Sequence, residues 1–300
     1  MAAPKLEKLK QGELDIWQVT TAHAELLVAE QGAQVLSYKR TGEQPLIWLN
    51  DHAQFKEGAA IRAGIPVCWP WFGNLARNPE AIQQMRQSSE PATAHGLVRT
   101  LKWSLGEPQI SDDKVTLTFT LPEADGGLPG WPHAARLELE IELADTLTLA
   151  LTTLNLGRED IHLSQALHTY FAVSDVRQVA VEEVAGLEYI ETLEDWARRT
   201  QQGRLEVTGE TDRIYLDTPA RLTIADSEWK RRILIDTQGS ASAVIWNPWI
   251  ERASALPDMA NDGWQRMFCI ETANVMADAK RLGPGEAHTL AVTVSSEPLV

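Results

Sequence analysis

Lys114-Val115-Thr116-Leu117-Thr118-Phe119-Thr120-Leu121 carries an apolar side chain at every second position, and the same period of two returns in Ala135 to Leu143 and Thr146 to Leu154. Successive side chains of a strand point to opposite faces, so this spacing describes half-buried strands with one wet face. The pattern extends in both directions. Towards the N-terminus, Asp15 to Thr20, Ala24 to Val28 and Gln34 to Tyr38 read as short strands bounded by turn formers such as Gly32 and Gly42. Towards the C-terminus it continues through Arg158 to Val181, Ala220 to Ile224, Arg232 to Ile235, Ala243 to Trp246, Met267 to Ile270 and Thr289 to Ser295. Helical candidates are few and short: two turns within Asn78 to Ser88 after Pro79, and another segment at Leu193 to Gln201. No fixed repeat and no low-complexity linker divides the chain. The expectation is one all-β domain over residues 1–300, built as a large antiparallel sandwich.

Composition narrows the partners. A chain of 300 residues with 44% hydrophobic and 23% charged residues can bury a large core. No run of 18 apolar residues is present, and Met1 to Lys8 leads into charge rather than an apolar signal segment, so a cytoplasmic protein without membrane contact is expected. A net charge of −15 argues against nucleic acid, whose binding depends on lysine and arginine spread along the phosphates. Cys68 and Cys269 lie far apart, each in an apolar run, and read as buried free thiols. The acidic surface and the lack of an amphipathic helix suit a monomer.

Polar islands interrupt the strands. Gln165 to Val173 is an apolar, β-prone run with His168 at its centre, either a satisfied core residue or a group that exchanges protons near neutral pH. Ala60 to Gly73 sets Trp69, Trp71 and Phe72 around Pro70, a face that packs on sugar C–H groups or simply fills a hydrophobic corner. Arg62 in that stretch, and Arg99 after Ala94-His95-Gly96, are anion forks or structural ion pairs. Asp212, in Gly209 to Asp217, holds a hydroxyl or caps a turn. Trp246 opens a third island that runs to Asn274 and contains Glu271, read as ending an apolar strand, where a carboxylate is costly without a partner. There is no GxSxG elbow and no P-loop. The histidines lack paired metal spacing, His162 and His168 being six apart, and no metal or cofactor is expected.

At these residues the chain resembles the aldose 1-epimerase (galactose mutarotase-like) superfamily, most closely its hexose-6-phosphate mutarotase branch. The resemblance runs from about Gln34 to Thr293 and rests on IRAGIPVCWPWFG at 61 to 73, AHGLVR at 94 to 99, ALHTYFAV at 166 to 173, ETDRIY at 210 to 215 and CIETAN at 269 to 274, in the family's order. It implies a β-supersandwich and a cofactor-free exchange of α and β anomers of a hexose 6-phosphate. In that pattern Glu271 is the general base at the anomeric hydroxyl and His168 the general acid at the ring oxygen. His95 and Asp212 match substrate-binding positions, Arg62 and Arg99 match the basic positions aimed at the 6-phosphate, and Trp71, Phe72 and Trp246 would line the sugar. Two departures stand out: Leu97 and Val98 replace a common phenylalanine and alanine, and the excursion from Asn74 to Thr93 is long enough for a lid or an extra helix. A phosphosugar-binding protein without turnover and an epimerase of free aldoses are the alternatives; the former needs no Glu271 and His168 pair, the latter no arginines.

Overall fold

The alternating segments become Val115–Thr120, Ala135–Leu143 and Leu147–Asn155 of a ten-stranded antiparallel sheet in the computed structural model, which describes residues 3–299. Ile141 stands opposite Leu149 and Leu139 opposite Leu151, all fully buried, while Glu138, Glu140 and Glu142 point outward between them. Each such aliphatic side chain contributes about 1.5–3 kcal/mol on burial. A slip of one residue would exchange the leucines for the glutamates, so the register is fixed by the core.

A second, eight-stranded sheet runs in the order Ala197–Thr200, Glu188–Glu191, Thr211–Leu216, Ser242–Asn247, Met267–Asn274, Gln165–Leu167 and Val67–Cys68, and Tyr170–Ala172 also pairs with Met267–Asn274. The two large sheets share one buried cluster, in which Phe119, Leu139 and Ile141 meet Tyr215, Ile245, Phe268 and Ile270. Four strands from Lys5–Gln11 to Val35–Arg40 form a further antiparallel sheet. The expectation of a large antiparallel β fold is met, and among the described residues only Glu80–Gln83 and Trp249–Ser254 are α-helical. No described helix is long and apolar enough to cross a membrane. Both cysteines are free and buried.

Three local expectations need correction. Leu193 to Gln201 is not helical: the chain turns at Asp195 and Trp196, both at positive φ, and returns as the strand Ala197–Thr200 against Glu188–Glu191. The neighbouring strand offers backbone partners, which outweigh the weak helical propensity of so short a segment. Helix in Asn78 to Ser88 shrinks to the single turn Glu80–Gln83, because Ile82 is its one buried residue and a helix this short has no apolar face to dock. Glu271 does not end its strand but lies inside Met267–Asn274, whose eight residues are all buried.

Candidate active site

The run around His168 is not one strand. Gln165–Leu167 and Tyr170–Ala172 both pair with Met267–Asn274 and keep a common register, Leu167 opposite Thr272 and Tyr170 opposite Cys269. Between them the ladder breaks, and the His168 N–H donates instead to the Pro66 carbonyl at 2.9 Å. That register sets His168 across from Glu271. Directly opposed side chains of antiparallel neighbours share a face, with Cβ atoms about 4.5–5.5 Å apart. The outcome is a close pair: His168 Nε2 lies 3.4 Å from Glu271 Oε1.

This pair forms the floor of a cleft of about 800 Å3, a size ordinary for small-molecule sites. Glu271 is 1% exposed, and burial holds its carboxyl well above the usual carboxylate range, the Asp212 charge adding to the effect. Burial pushes His168 in the other direction, well below the usual histidine value, assisted by His95 and Arg99. The His168 ring stacks on Tyr170, centroids 4.8 Å apart and planes 8° from parallel, and meets Trp246 edge-on at 6.3 Å. Glu271 Oε2 and His168 Nδ1 are buried without a hydrogen-bond partner. Unpaired polar atoms on a cleft floor are costly in the empty protein and available to a ligand.

His95 reaches the same floor from a turn. It has φ +63° and is followed by Gly96 at φ +77°. The Gly73 N–H donates to His95 Nδ1 at 3.3 Å, so Nδ1 is an acceptor and a neutral ring carries its proton on Nε2. Burial, with Arg99 and Arg62 nearby, pushes the His95 pKa down to about 3, which keeps the ring in that neutral donor form at physiological pH. Gly96 is required where it stands, because a Cβ there would lie 1.9 Å from the Trp69 carbonyl oxygen. Gly96→Ala is therefore expected to destabilise the fold by about 1–3 kcal/mol and to displace His95. Denaturant titration checks the first effect, and a drop in ligand affinity of the folded fraction checks the second.

Arg62 and Arg99 both line the cleft. The Arg62 Nε donates to Asp258 at 3.0 Å, and an Arg99 terminal nitrogen donates to the Ala94 carbonyl at 2.9 Å. Arg62 also engages the Tyr170 side chain, but a guanidinium carries five N–H donors, more than these contacts use, so each arginine retains donors for an anion. Asp212 also lines the cleft, from Thr211–Leu216, with its carboxyl raised chiefly by burial. Phe72 lines it and touches the His95 ring edge-on at 4.9 Å. Trp71 does not: it is 1% exposed within the core, and its indole N–H donates to the Thr93 carbonyl, which anchors the end of the Asn74 to Thr93 excursion. The excursion does reach the cleft through Asn74 and Arg77, and Arg77 packs over Trp196 from the opposing hairpin, 5.2 Å from its centroid. Arg252, on Trp249–Ser254, lines the cleft as well, and the sequence reading does not single out Arg77, Trp196 or Arg252. Trp196 fell in a stretch read as helix, and Arg252 on a short surface helix has no sequence mark that separates it from other exposed arginines.

Residues 15–295 match the family model for aldose 1-epimerase. The chain belongs to the aldose 1-epimerase family. It is 32% identical over 287 residues to an Escherichia coli protein named "Putative glucose-6-phosphate 1-epimerase", covering 95% of this chain and 92% of that one. A protein of the same name from Cenchrus ciliaris is 32% identical over 277 residues, covering 89% of this chain and 80% of the relative. Among solved structures, a mutarotase described as putative from Salmonella typhimurium superposes with a TM-score of 0.87 at 29% identity, covering 98% of this chain and 94% of the other. Epimerases of this family are isomerases acting on small sugars, which agrees with a cleft that combines aromatic walls and polar groups at its floor.

Proposed function

We propose that the protein interconverts the α and β anomers of hexose 6-phosphates, glucose 6-phosphate among them, by general acid-base opening and closing of the sugar ring. The observation that carries this reading is the His168 and Glu271 pair, 3.4 Å apart on the floor of a cleft whose wall also holds Arg62 and Arg99. Glu271 takes the proton of the anomeric hydroxyl while His168 protonates the ring oxygen. The C1–O5 bond breaks and C1 becomes an aldehyde. After rotation about C1–C2 the O5 hydroxyl attacks either face of the carbonyl, returning its proton to His168 as O1 takes one from Glu271. Protons balance over the cycle, and no redox change occurs.

The pair needs one proton in total, and its position matters. Burial of both groups favours the proton on Glu271 and a neutral His168. The productive arrangement has it on His168. Arg99 and Arg62 are among the charges that press His168 down, so a phosphate dianion held between them offsets that pressure and favours transfer to His168. On this account the phosphate both anchors the sugar and readies the acid. The names of the relatives support the same substrate class.

Freshly dissolved α-glucose 6-phosphate, followed by NMR saturation transfer between the anomeric protons, tests the proposal with free glucose and galactose in parallel. The expected result is accelerated exchange of the phosphorylated sugar. No acceleration with any sugar would leave a binding protein as the reading, and equal acceleration of free and phosphorylated sugars would remove the phosphate role from the arginines.

A further inference from the structure

The histidine spacing in the sequence gave no reason to expect a metal, yet the fold assembles a ligand set that sequence distance hides. Cys269 and Glu271 are two apart on Met267–Asn274 and so share one of its faces, Cys269 just beneath the cleft lining in the buried core, and the register brings His168 to them from the adjacent strand. One ligand atom from each of the three lies within 4.8 Å of the others, and all three residues are buried. We propose that His168, Cys269 and Glu271 form a binding site for a borderline-soft divalent cation of the zinc type, and that its occupation shuts off the acid-base pair.

Three features favour the site. First, the distances suit it. With Zn–N and Zn–O bonds of about 2.0–2.1 Å, tetrahedral ligands sit about 3.3 Å apart, and the His168 and Glu271 atoms are already 3.4 Å apart. The thiolate has to approach by roughly 1 Å to close a Zn–S bond of about 2.3 Å. Second, the ligand atoms are not committed elsewhere: among the described residues His168 Nε2 and Glu271 Oε1 contact only each other, and the outer atoms Nδ1 and Oε2 make no hydrogen bond that would hold either side chain in another orientation. Third, the charges cancel. A divalent cation with one thiolate, one carboxylate and one neutral imidazole is neutral overall, which suits a desolvated floor far better than a lone carboxylate does.

The donor set also selects the metal. A thiolate with imidazole and carboxylate favours zinc or cobalt over magnesium or calcium, which prefer oxygen ligands alone. Three protein ligands leave a fourth position, open to water or a sugar oxygen from the cleft. Binding releases the thiol proton and any proton on Glu271 to solvent and occupies the imidazole lone pair. Neither a general base nor a general acid then remains, so the cation acts as an inhibitor rather than a cofactor.

The inhibitory half of this inference rests on the proposed mutarotase activity, whereas the binding half does not, and the two are read separately. Cobalt(II) added to the intact protein should give a sulfur-to-metal charge-transfer band in the near ultraviolet, displaced by zinc. Zinc should depress anomer exchange at least tenfold, and a chelator should restore it. Cys269→Ser should retain exchange, lose the cobalt band and require roughly tenfold or more zinc for inhibition, while Cys68→Ser should keep the band. If circular dichroism shows that Cys269→Ser is unfolded, Glu271→Gln takes its place and should bind cobalt at least tenfold more weakly. Absence of a thiolate band in the wild type, or equal zinc inhibition of a folded Cys269→Ser protein, overturns the proposal. A cobalt band without sugar exchange would preserve the site and overturn the mutarotase reading instead.

Discussion

Glu271→Gln is expected to slow anomer exchange by about 10²- to 10⁴-fold, the usual contribution of a positioned acid or base, while phosphosugar binding persists. The amide keeps the size and the hydrogen-bonding edge of the carboxyl but cannot accept the anomeric proton. The same substitution should make the protein more stable, and the direction follows from burial. Folding raises the Glu271 pKa well above the ordinary range. Below the unfolded value of about 4.3 the carboxyl is protonated in both states and costs nothing extra. As pH rises from that value towards the folded one, the unfolded chain ionises while the folded chain must keep a proton or bury a charge, so the cost grows. Glutamine is exempt. Thermal unfolding of both proteins from pH 4 to pH 8 should show a gap that widens in favour of the variant. A variant that is inactive and also much less stable would mean that Glu271 holds the fold together rather than acting on substrate.

Arg99→Ala should raise KM for glucose 6-phosphate by about 10- to 100-fold, since a hydrogen bond to a charged group is worth roughly 1.5–3 kcal/mol. Exchange of free glucose, however slow, should not fall. Arg99 is one of the groups that lower the His168 pKa, so its loss leaves the histidine easier to protonate, and the free sugar gives nothing up in return. The contrast between the two substrates is the diagnostic reading. A structural role for Arg99, through its bond to the Ala94 carbonyl at 2.9 Å, would depress both substrates alike.

The fold was legible where one physical rule dominated. In Ala135–Leu143 and Leu147–Asn155 burial alternates without exception along the strand, because only one face meets the core and the sequence obeys a period of two. The segment after Leu193 was misread because no tertiary partner is visible in a nine-residue window: its turn at Asp195 and Trp196 depends on Glu188–Glu191 lying alongside. His168, Glu271, His95, Asp212, Arg62 and Arg99 all line one cleft; His168, Glu271 and the two arginines drew notice as charged or titratable groups in apolar sequence, which call for a partner, but it took the family motifs to join all six into one candidate site. Trp71 followed the opposite logic. A tryptophan beside proline looks the same in sequence whether it faces a ligand or the core, and only the path of the chain places it inside. Arg77 and Arg252 were missed for a related reason, as exposed arginines are common and nothing local tells which ones overlook a cleft.

His168 and Glu271 stand in, or directly beside, hydrogen-bonded strands, whereas Asn74, Arg77 and Trp196 reach the cleft rim from an excursion and a hairpin turn. Rigid elements hold side chains to tighter tolerances than loops do, and loops accept sequence change at lower cost to the core. The architecture thus separates two traits that many active sites entangle. Randomising the rim at 74–78 and 192–196 should change which ligands the cleft admits while the His168 and Glu271 geometry stays fixed in the sheet beneath.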